Sequence, residues 1–120
     1  MCVTVPFDHF EKVLDVRAHE TATLPCRASP GTKVVWYYQR YCDHFEHGPY
    51  ACSPQTAVTI GNKYEVCMNS DCDYDLRIID AMKNMTGLYT CKNSHRVISG
   101  VFLNVMCEYN FVLLLHHYCL

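Results

Sequence analysis

No stretch of this sequence approaches the roughly 18 consecutive apolar residues that a bilayer-spanning helix requires. There is no surplus of positive charge either. Ten Lys and Arg face twelve Asp and Glu, giving a net charge of −2 and no basic footprint for nucleic acid. Internal repeats and low-complexity tracts are missing, which removes solenoid and fibrous classes. No ten-residue segment follows a helical period. No nucleophile elbow, phosphate-cradling glycine loop or paired-carboxylate motif occurs, so no enzyme class is indicated. The start, Met1-Cys2-Val3-Thr4-Val5-Pro6-Phe7-Asp8, lacks the basic, apolar and small-residue regions of a secretory signal. The expectation from this start is a fragment or an incomplete gene model.

What is present is a chain of 120 residues, enough for one domain. A chain of this size buries roughly two-thirds of its unfolded surface. Half its residues are hydrophobic and 18% are charged, which excludes a disordered class. Nine cysteines are several times ordinary usage. Such density points to an oxidising compartment and disulfide support; free thiols or zinc in a reducing compartment are the alternative. An odd count leaves at least one thiol unpaired or bonded to another chain.

Apolar positions alternate with period two. Residues 21–26 and 33–39 read as strands around the turn Ser29-Pro30-Gly31-Thr32. Residues 40–54 read as a long polar loop. Residues 57–60 and 63–67, joined by Gly61-Asn62, read as a hairpin, because both turn residues tolerate positive φ. Residues 68–71 form a further turn and 74–79 the next strand. The last two strands, 88–92 and 97–105, are joined by residues 93–96. About seven short strands with regular turns make a two-sheet sandwich.

Three residues then fall into a frame. Cys26 ends the strand at 21–26, Trp36 lies in the strand at 33–39 and Cys91 in the strand at 88–92. Tyr89 precedes Cys91 by two, within Thr86-Gly87-Leu88-Tyr89-Thr90-Cys91, and Leu76-x-Ile78 lies upstream. This pattern resembles the immunoglobulin superfamily over roughly residues 3–105. The resemblance implies an all-β, immunoglobulin-like Greek-key sandwich with a Cys26–Cys91 disulfide between its sheets. It implies Trp36 packed on that bond and Tyr89 as a tyrosine corner bonding backbone upstream. Gly87 is expected to supply backbone freedom at the entry to its strand. Only nine residues separate Cys26 from Trp36, the loop at 92–96 is short, Met85 replaces the usual acidic residue, and the Gly-x-Gly bulge is missing. These departures point away from antigen receptors, toward a variable-like or intermediate ectodomain of an immune or adhesion receptor.

Seven cysteines remain. Cys67 and Cys72 flank a short turn, and Cys42 and Cys52 bound the long loop; both pairs suit local disulfides, and exchanged pairings are the alternative. Cys2, Cys107 and Cys119 lie outside the core. Cys42, His44, His47 and Cys52 place four zinc-type ligands within eleven residues, but their spacing matches no common zinc module. His116, His117 and Cys119 form a second, weaker set. Asn84-Met85-Thr86 is a glycosylation sequon.

Tyr37, Tyr41 and Tyr50 are the candidate partner face. Alternation sets Trp36 and Tyr38 on one side of the strand and Val35 and Tyr37 on the other, and tyrosine suits interfaces by combining area with a polar tip. The reading is a domain at residues 1–105 and a short, poorly packed tail at 106–120. It is a non-enzymatic recognition module at the cell surface or outside the cell. Its partner is a protein ligand or receptor, including a second copy of itself, with no cofactor, nucleic acid or small-molecule substrate. The alternatives are an intracellular immunoglobulin-like scaffold domain and a small zinc protein using the Cys42–Cys52 loop.

Overall fold

The structure is a computed structural model and describes residues 12–29, 31–44, 46, 48–68, 74–94, 96–109 and 117–118. In chain order the strands are β1 (Lys12–Arg17), β2 (Ala22–Leu24), β3 (Val34–His44), β4 (Gly48–Ala51), β5 (Thr56–Ala57) and β6 (Tyr64–Val66). They continue as β7 (Leu76–Ile78), β8 (Gly87–Asn93), β9 (Arg96–Met106), β10 (Glu108–Tyr109) and β11 (His117–Tyr118). One sheet has the order β1-β9-β8-β3-β4, with β5 also on β3; a second has the order β2-β7-β6. β1 runs parallel to β9, and every other pair is antiparallel. The two strands β10 and β11 pair only with each other. A single turn of 3-10 helix, Lys83–Met85, precedes β8.

The alternating pattern explains the layering. In β2, Ala22 and Leu24 point inward and Thr23 outward; in β7, Leu76 and Ile78 point inward and Arg77 outward. They meet Trp36, Tyr89, Cys91, Val101, Leu103 and Val105 from the larger sheet, all at most 3% exposed. Burying an aliphatic side chain of this size contributes roughly 1.5–3 kcal/mol, so this two-sided apolar layer holds the sandwich.

Two sequence expectations are corrected. The first is the 57–60/63–67 hairpin. Ala57 pairs with Tyr37 in the larger sheet, whereas Tyr64–Val66 pairs with β7 in the smaller one. Gly61-Asn62 therefore lies where the chain crosses between sheets. The favoured two-residue hairpin turns need positive φ at the first position or at both, and neither Gly61 nor Asn62 has it. The second is the polar loop at 40–54. β3 runs on to His44 and turns back through Gly48, at φ 74°, into β4, with Cys42 opposite Tyr50. A left-handed glycine closes this hairpin, and side-chain polarity on its exposed faces had concealed the strand.

Candidate recognition surface

The frame residues converge at the centre of the sandwich. Cys26 and Cys91 are bonded, with Cα atoms 6.3 Å apart and 65 positions separating them. Trp36 is the cross-strand neighbour of Cys91, so both side chains leave the sheet on the same face. Its indole N–H reaches across the core and donates to the Tyr74 carbonyl at 2.8 Å. The Tyr89 hydroxyl donates to the Met85 carbonyl at 2.7 Å, bracing the turn that leads into β8. Gly87 has no unusual φ. Its requirement is for room, because a Cβ there would run into the Gln39 carbonyl oxygen.

Tyr38 and Tyr89 stack with centroids 4.6 Å apart. Burial pushes both phenols well above 10.0, and neighbouring Tyr64 pushes each further. Because these pKa values are raised in the folded state, the fold retains protons that the unfolded chain has released. Stability is thus present below pH 10 and falls as pH rises beyond it. Alkaline titration is expected to give the last phenolate absorbance together with loss of circular dichroism. Full ionisation of all nine tyrosines with the fold intact would contradict this.

Cys42 and Cys52 are also bonded, with Cα atoms 5.8 Å apart, and clamp the β3–β4 hairpin. This bond consumes two of the four candidate zinc ligands of that segment. His47 lies outside the described residues, and among the described residues no group of three His, Cys, Asp or Glu is placed to hold a metal. Cys67 and Cys107 each take part in a further disulfide; Cys2, Cys72, His116 and Cys119 lie outside the described residues. Asn84 is exposed within the 3-10 turn. Thr86 of the same sequon is buried, and its hydroxyl accepts the Val105 N–H at 3.1 Å. A threonine here is thus explained by packing, independently of any sugar.

The three candidate tyrosines differ in side and in access: Tyr37 and Tyr41 share the outward side of β3, whereas Tyr50, opposite Cys42, leaves the β3–β4 hairpin on the other side. Tyr37 is half-buried, with the Lys92 ammonium 5.0 Å from its ring centroid. Tyr50 is 47% exposed. Tyr41 is only 6% exposed; it meets Phe102 edge-on at 5.1 Å beside Leu88. Alternation placed Tyr41 on the face of Tyr37 but could not reveal that packing closes over its ring.

A feature the sequence reading missed lies at the end of the sandwich where β2 leads to β3 and β8 to β9. A cleft of about 260 Å³ is lined by Arg27, Ser29, Thr32, Asn93 and Arg96, with Val97 and Ile98 as its apolar wall. A second cleft, of about 200 Å³, is lined by Lys33, Tyr37, Lys92, Asn93 and Ser94. Asn93 is common to both. The signal in the sequence was two short connections each carrying cations, separated by some sixty positions and joined only by the fold.

No family model and no curated protein matches the chain. Solved structures do. The extracellular fragment of Novel Immune-Type Receptor 10 from Ictalurus punctatus aligns at TM-score 0.55 and 23% identity, covering 78% of this chain and 95% of that one. Drosophila Semaphorin 2a aligns at TM-score 0.58 and 16% identity over 81% of this chain, which spans only 14% of that molecule. The ZIG-8–RIG-5 IG1–IG1 heterodimer aligns at TM-score 0.52 and 18% identity, covering 85% of this chain and 89% of that one. With the Cys26–Cys91 bond and Trp36 between two packed sheets, these likenesses show that this chain has the immunoglobulin fold.

Proposed function

We propose that this chain is an immunoglobulin-superfamily recognition module, acting outside the cell or at its surface by non-enzymatic contact with a protein partner. The observation that carries the reading is the outward face of the larger sheet. It presents the Tyr37–Lys92 pair on strands held rigid from behind by the disulfide-centred core, and the exposed Tyr50 stands on the adjoining β3–β4 hairpin. Rigid aromatic side chains that keep a polar tip are favoured interface anchors. The Cys26–Cys91 and Cys42–Cys52 disulfides support an oxidising compartment, and the exposed Asn84 is a reachable glycan acceptor there.

The test is to secrete the full chain, confirm glycan mass at Asn84, and screen it as a tetramer against purified ectodomains, including itself. Tyr37→Ser with Tyr50→Ser is expected to weaken the selected partner at least tenfold, equivalent to about 1.4 kcal/mol, with an unchanged melting temperature. Undiminished binding would remove this face from the reading.

A further inference from the structure

We propose that the paired clefts at the β2–β3 and β8–β9 end hold carboxylate side chains of an acidic segment on the partner protein. The proposal rests on the protein-recognition reading and names the chemistry of the partner. Its basis is an uneven distribution of charge. The chain is net negative, yet four of its ten cationic side chains line these two adjoining clefts, and among the described residues no carboxylate lines either.

Two other cations face carboxylates: Arg77 lies 3.6 Å from Glu65 and Lys83 lies 3.3 Å from Asp43. Among the described residues, neither Lys33 nor Arg96 has such an ion pair. Lys92 is anchored without being neutralised. It donates to the Gln55 amide oxygen at 3.0 Å and sits against the face of Tyr37. Both partners are uncharged, so they position the ammonium and leave its charge for a ligand.

The supports are rigid. Lys92 lies opposite Val35, where a β-bulge at Ile98 in β9 shifts the β8–β9 register, and Arg96 lies opposite Asn93 at the start of β9. Each cleft has room for about one or two side chains and combines cations with hydroxyl or amide groups and an apolar wall. That division suits separate carboxylates on a peptide. A sulfated polysaccharide is tracked instead by a continuous row of exposed cations. The cleft lined by Tyr37 is continuous with the tyrosine face, so one partner can reach both. Charges at such a rim act mainly on association rate and salt dependence.

The test uses the full, disulfide-intact chain and three probes: a glutamate-rich decapeptide, its glutamine counterpart and a heparin-derived oligosaccharide. Amide shifts are followed by NMR at low salt and at about 150 mM salt. The glutamate peptide is expected to move Lys33, Asn93 and Arg96 and to weaken with salt. The glutamine peptide is expected to bind at least tenfold more weakly. Lys33→Glu with Arg96→Glu should abolish binding, Lys33→Gln with Arg96→Gln should weaken it, and Lys12→Glu on the distant β1 should leave it unchanged. Equal binding of the glutamine peptide, shifts elsewhere, or tighter binding of the oligosaccharide would overturn the proposal. The two readings separate on the selected partner: charge reversals that leave its capture intact, while Tyr37 and Tyr50 substitutions abolish it, overturn this inference alone.

Discussion

Replacing Cys26 and Cys91 together by alanine is expected to lower folding stability by about 4 kcal/mol. The bond closes a loop spanning 65 positions, and in the chain-entropy view its loss returns that much freedom to the unfolded state. Both sulfurs are buried to 1% exposure or less, so the shortened side chains also leave a cavity. Typical domains have only about 5–15 kcal/mol to lose, so a large unfolded fraction at body temperature is expected. Urea denaturation checks this. The matching replacement of Cys42 and Cys52, whose separation is 10, should cost less, about 2–3 kcal/mol, and spare the sandwich core. Equal losses from the two double variants would show that the hairpin bond, not the core bond, organises the fold.

Trp36→Ala is the second large effect, about 3–5 kcal/mol. Trp36 is 3% exposed and lies between the two sheets. Removing it opens a cavity beside Cys91 and strips the Tyr74 carbonyl of its indole donor. Trp36→Phe keeps most of the volume and loses the hydrogen bond, so a smaller loss of about 1–3 kcal/mol follows. Because Trp36 and Cys91 are neighbours, their effects should not add; shared packing couples them. Urea midpoints at constant slope measure both. A Trp36→Ala chain as stable as the parent would mean that the two sheets are held together elsewhere.

Some of this protein is legible one residue at a time. The Cys26, Trp36, Tyr89 and Cys91 frame is legible through its resemblance to the immunoglobulin superfamily, and each residue does a job set by its own chemistry: a bond, a filler, a brace. Period-two alternation at Ala22–Leu24 and Leu76–Ile78 likewise declares which side faces the core, because a strand has only two faces.

Other features depend on which strands become neighbours. Gly61-Asn62 carries the residues of a hairpin turn, yet residue type allows positive φ without requiring it, and pairing of Ala57 with β3 and of Tyr64 with β7 decided otherwise. The β3–β4 hairpin was hidden because its side chains are polar, while its ladder is made by backbone groups that every residue carries. Tyr37, Tyr41 and Tyr50 are one residue type with three degrees of burial: Lys92 lies against Tyr37, and Phe102 and Leu88 from other strands pack with Tyr41.

By itself, then, the sequence determined the two-sheet β class and the inward side of its clearest strands, since these follow from residue type and period-two alternation, while the Cys26–Cys91 frame was legible through its resemblance to the immunoglobulin superfamily. Only the tertiary structure decided the sheet crossing at Gly61, the access of each tyrosine and the gathering of Arg27, Lys33, Lys92 and Arg96 around two clefts. Those properties are distances between residues remote in the chain, and no local pattern encodes them.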